Sequence, residues 1–318
     1  MRNNRTKLII LALIAIVCIL LYGFYDLKGS FEYAFSRRMI RIGAMVITGI
    51  AIAYSTVVFH TITQNRILTP SVMGIDSMYE VVQTLIFFFA GSMSVWVVNK
   101  YLNFGLSIAA MVLFALLLYR FLFKANKYPI YFLLLVGMIL GTLLSNLVTF
   151  LQVLIDPLEY LSLQTFLFAS FTKVKAELFS LATAILIFAF IYGYRIMHEL
   201  DVMSLGRSQA INLGIEYDKM VKNILILSSI LTATATALVG PITFLGLIVA
   251  NLAYQYLITY KHSILVIGAS LISIIALVGG QFIIEHVFHL RTTLSVIINF
   301  IGGIYFIYLL LKESRAVR

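Results

Sequence analysis

The chain has 318 residues, 62% of them hydrophobic and 11% charged, with a mean hydropathy of +1.02. A soluble domain carries about 25% charged and about 45–50% apolar residues, so a water-facing globule is excluded. So are a disordered chain and a disulfide scaffold, because the single cysteine, Cys18, has nothing to pair with. A net charge of +10 fits the positive-inside rule of membrane proteins, and no basic patch is interleaved with base-stacking aromatics as nucleic-acid binding would require.

Only 4 prolines occur, and the apolar stretches are continuous rather than alternating, which points to helices and not to a β-barrel. The basic start Met1–Lys7 leads into an apolar run from Leu8 to Tyr25. That run is too long for a signal peptide and lacks a small-x-small cleavage site, so it reads as a retained first helix. Stretches that could cross a hydrocarbon core follow near 41–60, 79–98, 104–123, 129–151, 178–195, 220–238, 242–257, 263–282 and 296–312. With the first they predict an all-α, polytopic protein of about ten transmembrane helices, of which 242–257 is short and glycine-bearing. About 15 of the 23 Lys and Arg fall on the side of the N-terminus, which predicts both termini in the cytoplasm. Arg37, Arg38 and Arg41 bunch on the opposite side. No soluble domain is attached, so residues 1–318 read as one membrane domain. The charged segment from about 196 to 219 is its natural surface for a cytosolic partner.

Enzyme chemistry has no visible apparatus. The chain lacks H-E-x-x-H, G-x-S-x-G and a P-loop, so it cannot hydrolyse ATP through a P-loop by itself. His60, His198, His262, His286 and His289 are dispersed and predict no metal site. An ion-coupled transporter buries ionisable groups mid-membrane. Here Glu80 and Glu285 sit near span ends, and Asn146, Asn251, Gln281 and Asn299 read as interhelical hydrogen-bond partners. A permeation pathway whose energy arrives from outside the chain remains, with an ion-coupled secondary transporter as the alternative from another class.

Between Met203 and Ile215, Gly206 and Gly214 bracket a short amphipathic helix with Ala210, Ile211 and Leu213 on its apolar side. Two turns of helix are unstable alone in water, so this is either a packed connector or a segment completed by a partner. Its pattern L-G-x-x-x-A-x-x-L-G-I resembles the coupling helices of type II ABC importer permeases, the FecCD-like family that takes up ferric siderophores, haem and cobalamin. Three further segments are similar to that family and fall in its order. They are Leu68-Thr69-Pro70-Ser71-Val72-Met73-Gly74-Ile75-Asp76-Ser77, Leu135-Val136-Gly137-Met138-Ile139-Leu140-Gly141, and Gly240-Pro241-Ile242-Thr243-Phe244-Leu245-Gly246-Leu247. Arg207 stands where the family has an acidic residue, Ala250-Asn251 where it has Pro-His, and Leu290-Arg291-Thr292-Thr293-Leu294-Ser295 where it often has E-L-P-V-G. These variants look like the catecholate-siderophore branch, in which two different permeases commonly form the pore.

The resemblance implies a ferric-siderophore permease subunit, with haem or cobalamin as the other substrates of the same architecture. It implies coupling to a separate cytoplasmic ATPase dimer through Ser204, Leu205, Gly206, Arg207, Gln209, Ala210, Leu213 and Gly214, with Arg207, Gln209 and Ala210 facing that partner. The translocation path would run along the fifth span and the short helix after it, using Gly137, Gly141, Asn146, Thr149 and Gln152. For Gly137 and Gly141 close helix packing stays open beside a role in the path. Arg38 and Arg41 would receive an extracytoplasmic binding protein, or else contact lipid headgroups. Pro70, Gly74, Gly240 and Pro241 would make structural turns. The implied partners are a second homologous permease, the ATPase and the binding protein. No cofactor is implied on this chain: ATP and Mg belong to the ATPase, and iron travels within its chelate.

Overall fold

The computed structural model describes residues 2–25, 31–123, 130–288 and 292–316. Leu290 and Arg291 lie outside the described residues. Every regular element among those described is helical: α1 (Arg2–Phe24), α2 (Phe31–Thr63), α3 (Ile75–Ala90), α4 (Val95–Val98), α5 (Lys100–Phe123), α6 (Ile130–Leu154), α7 (Pro157–Leu167) and α8 (Ala176–Arg195). Then come α9 (Met197–Met203), α10 (Arg207–Asn212), α11 (Tyr217–Val239), α12 (Leu245–Tyr256), α13 (His262–Ile274), α14 (Gly280–His286) and α15 (Leu294–Ala316). A 3₁₀ turn at Ser71–Met73 precedes α3, and a π-helical turn at Ile275–Gly279 joins α13 to α14 in one rod.

Each of the ten stretches expected to span the membrane is largely helical over its described residues, and eight helices are long and apolar enough to cross it on their own. The two shorter ones have identifiable breaks. Helix α3 stops at Ala90 because Gly91 takes a left-handed φ of 72°, so the stretch 79–98 is not one helix. Helix α12 has only 12 residues, because Gly240 and Pro241 interrupt the chain before it. Helix α2 runs the other way: it begins at Phe31 instead of near residue 41, since nothing between Phe31 and Arg41 is a glycine or proline. Helix α7, inside a stretch that reads as polar, starts where Asp156 caps it by accepting from the Leu158 N–H at 2.9 Å, with Pro157 in the first turn.

Helices α2 and α11 form the centre and are buried on most sides. A hydroxyl pair, Ser55 and Thr232 at 2.7 Å, joins them. Helix α3 is tied to α5 by a reciprocal amide pair: Gln83 donates to Asn103 Oδ1 and Asn103 donates back to Gln83 Oε1, at 3.0 and 3.1 Å. Such bonds matter between membrane helices, where the apolar solvent gives little hydrophobic drive to pair. Helices α1, α6, α8 and α15 lie outside, with long apolar edges uncovered.

The bundle has two distinguishable ends. At one, called here the near face, α1 donates from Lys7 Nζ to the Tyr256 carbonyl at 2.7 Å and α2 ends with Gln64 donating to the Met203 carbonyl. The start of α1, the end of α12, the start of α13 and helix α9 therefore share that face. At the far face, Tyr22 of α1 and Arg41 of α2 meet Glu285 of α14.

Candidate coupling segment and translocation face

Two buried breaks let helices begin inside the bundle. In the first, Pro70 enters the 3₁₀ turn and Gly74 closes it with φ of 91°, a conformation that a side chain would strain. In the second, Gly240 has φ of 98°, and a Cβ there would sit 2.7 Å from the Ala169 Cα, so only glycine fits before Pro241. Asp76, in the first turn of α3, joins the two. It is 4% exposed and accepts from the Thr236 hydroxyl at 3.0 Å and the Thr243 hydroxyl at 3.2 Å. Asp76 is a buried carboxylate beyond Glu80 and Glu285, the two considered in the sequence. Its acidity is visible in the sequence, but the threonines that satisfy it lie 160 and 167 positions away.

Gly137 and Gly141 were expected along the translocation path. The structure turns them inward, where they let α6 approach Met73 and Gly74 closely. They pack against the turn that precedes α3. Asn146 and Thr149 lie on the opposite, uncovered side of α6 with Leu143, Leu147, Phe150 and Val153, and Gln152 is half-buried beside them. Of the other amides, Asn251 donates to the Arg66 carbonyl at 2.8 Å and Asn299 accepts from the Phe244 N–H at 3.5 Å, both between elements, while Gln281 bonds Glu285 within α14.

Gly206 (φ 95°) separates α9 from α10, and Gly214 (φ 88°) ends α10. No atom crowds either glycine, so backbone conformation alone requires them. The end of α10 is a Schellman motif: Ile215 N–H donates to the Ala210 carbonyl and Gly214 N–H to the Ile211 carbonyl, at 3.0 and 2.9 Å. Ser204 folds back to donate to the Asp201 carbonyl at 2.6 Å. Ala210 was expected to face a partner, but it is 0% exposed and packs into the core. Its lack of volume is what seats α10. Arg207 and Gln209 do point outward, and Ile211 and Leu213 of its apolar side stand clear with them: Ile211 is 50% and Leu213 61% exposed, with Leu205 beside them. Arg207 reaches Asp218 at 3.4 Å in an exposed pair.

At the far face, Arg38 donates to the carbonyls of Tyr22 and Tyr25 at 3.0 and 2.5 Å, closing the end of α1. Arg41 lies 3.7 Å from Glu285 with 24% of its side chain exposed. Both arginines are thus engaged by their own chain at that face. Spacing alone places them on one helix face, but it cannot reveal that α1 ends against that face.

The described residues thus form a polytopic all-helical bundle with two interrupted helices and an uncovered short helix on one face. Residues 9–312 match the FecCD transport family, and the chain belongs to that family. It is 53% identical over 314 residues to the petrobactin import system permease protein YclO of Bacillus subtilis (strain 168), covering 99% of each chain. With the petrobactin import system permease protein YclN of the same organism it shares 25% over 301 residues, 91% of this chain and 90% of that one. Its fold is similar to a structure described as an inward-facing conformation of a metal-chelate type ABC transporter, with a TM-score of 0.81, 24% identity, and 97% and 99% of the two chains covered. The protein is a multi-pass transport subunit of an ABC importer and not itself an enzyme.

Proposed function

We propose that this chain is one permease of a ferric-siderophore importer and that its substrate class is catecholate chelates of the petrobactin type. The observation that carries the reading is the 53% identity with YclO across both full lengths. The same organism has a second permease of that system, YclN, at 25% identity to this chain. That difference supports a heterodimer in which this chain fills the YclO-like half. The apolar edges left open on α6 and α15 are the surface for the second permease, and they carry Asn146, Thr149 and Gln152 toward the shared path.

In this reading residues 1–318 form a single permease domain and the near face is cytoplasmic, with both termini on it. An ATPase dimer covers Leu205, Arg207, Gln209, Ile211 and Leu213, while Gly206 and Gly214 hold the bends that present them. On the outer side Arg38 is the candidate contact for a binding protein. Its guanidinium is fixed in advance by two carbonyls, whereas Arg41 is largely answered by Glu285. Iron crosses inside its chelate.

The test is ATP-dependent uptake of radiolabelled iron as its petrobactin chelate. Proteoliposomes would contain this chain with its partner permease, ATPase and binding protein. Uptake that vanishes when this chain is omitted supports the assignment. A complex that hydrolyses ATP yet moves no catecholate iron refutes the substrate class and leaves the architecture standing.

A further inference from the structure

The rod α13–α14 is 25 residues long, about 37 Å at about 1.5 Å per residue, and it is pinned by polar side chains at both ends. At the near face Asp201 of α9 accepts from the His262 backbone N–H at 2.7 Å and lies 2.6 Å from His262 Nδ1. The other ring nitrogen, Nε2, lies 2.6 Å from the Thr61 hydroxyl at the end of α2. At the far face Glu285 accepts from the Tyr22 hydroxyl at 2.8 Å and from Gln281 at 3.0 Å, with Arg41 beside it. Between the pins the rod packs closely on α2, where a methyl group on Gly49 would stand 2.9 Å from the Ser273 Oγ, but without polar bonds. Thr48 of α2 and Ser270 and Ser273 of α13 are buried with no hydrogen-bond partner among the described residues, and the π-helical turn at Ile275–Gly279 follows directly. A π turn marks a place where a helix can change register, because relaxing it to α shifts one end against the other.

We infer that α13–α14 is the rod that carries movement of the α9–α10 segment to the far face, and that Asp201 and His262 are the positioning residues that attach it. The chemistry suits the task. A carboxylate bonded to both a helix's first N–H and its first side chain grips that helix by its end. The hydroxyls without partners give its middle no polar bond that a small shift along α2 would break, and the π turn supplies a place for that shift. A bundle needing only a staple would have no use for a π turn in the same helix. This inference rests on the reading that an ATPase docks on α9–α10.

The experiment uses the complete reconstituted transporter and compares Asp201→Ala with a surface variant, Leu213→Ser. Uptake and ATP hydrolysis are measured together with the amount of assembled complex. If the rod transmits movement, Asp201→Ala assembles, keeps its ATPase activity, and loses about tenfold in iron moved per ATP, within the span of ordinary coupling factors. Uptake and hydrolysis that fall in parallel with assembly would overturn the inference, since a staple does only that. Should Leu213→Ser uncouple while Asp201→Ala does not, the rod fails alone. If Leu213→Ser has no effect, the docking reading fails and the rod with it.

Thr61→Val removes the bond to His262 Nε2, along with one to the Val57 carbonyl within α2, and serves if Asp201→Ala is not recovered from the membrane; an unchanged ratio of uptake to hydrolysis in it then counts against the rod. As an independent readout, spin labels at Ile283→Cys on α14 and Leu181→Cys on α8, both exposed positions, are placed in a Cys18→Ser background. Trapping ATP should shift their separation in the otherwise native chain and leave it unmoved with Asp201→Ala. A separation that shifts equally in both, or in neither, rejects the rod.

Discussion

Gly74 and Gly141 meet backbone to backbone: a methyl group on Gly74 would stand 2.7 Å from the Gly141 Cα, and one on Gly141 would stand 2.9 Å from the Gly74 Cα. No rotamer change can relieve either contact. Gly141→Ala is therefore expected to destabilise the chain by about 1–3 kcal/mol, the usual cost of overpacking. Gly74→Ala should cost more, because its φ of 91° adds backbone strain. Gly105→Ala, where nothing lies within 4 Å, is the control that should stay near neutral. Thermal unfolding of the purified protein in detergent measures all three, and equal behaviour would contradict the contact.

Removing Asp76 leaves the Thr236 and Thr243 hydroxyls without their acceptor in a buried place. Asp76→Ala should destabilise by about 1–3 kcal/mol and lower uptake. Asp76→Asn should do less harm, since its carbonyl still accepts from one threonine and its amide can donate to the other. The order of the two variants in thermal unfolding is the check, and Asn proving as damaging as Ala would show that the charge itself is required.

Arg207→Ala and Leu213→Ser change exposed side chains, so the isolated chain should unfold as the wild type does. In the full transporter both should lower uptake, and Leu213→Ser the more, because it removes apolar surface that a partner would bury. Co-purification of the ATPase with each variant reads this directly. Unaltered recovery and unaltered uptake would remove α10 from the docking surface.

Arg38→Glu should weaken capture of the binding protein by the reconstituted permease pair, and the loss should shrink as salt is raised, since exposed charge contacts are screened. The same substitution also frees the carbonyls of Tyr22 and Tyr25. Arg38→Lys keeps the charge and separates the two effects: binding retained with Lys and lost with Glu identifies the charge as the cause.

Much of this was legible in the chain itself, for physical reasons. Continuous apolar runs locate the helices because a bilayer tolerates little else, and Gly206, Gly214, Gly74 and Gly240 announce turns because few residues accept a left-handed backbone. What the sequence hid was direction. The helical period puts Ala210, Ile211 and Leu213 on one side, yet α10 has only 6 residues. The tight bend at Gly214 decides which of them meets the core. Gly137 and Gly141 likewise have the spacing of a contact face, but not the identity of what they contact. Asp201 and His262 were unremarkable as isolated letters, since 61 positions separate them and only the fold returns α13 to α9.

Helix α3 has 16 residues and starts at a buried turn, so a bilayer alone cannot hold it in place. Its supports are Asn103 and Ser107 of α5, which engage Gln83, and Ser145 of α6, which meets Ser77 at 3.1 Å. All three are made after it. Thr236 and Thr243, which hold Asp76 at its start, come later still, so the place of α3 in the membrane is settled by segments that do not yet exist when it emerges from the ribosome.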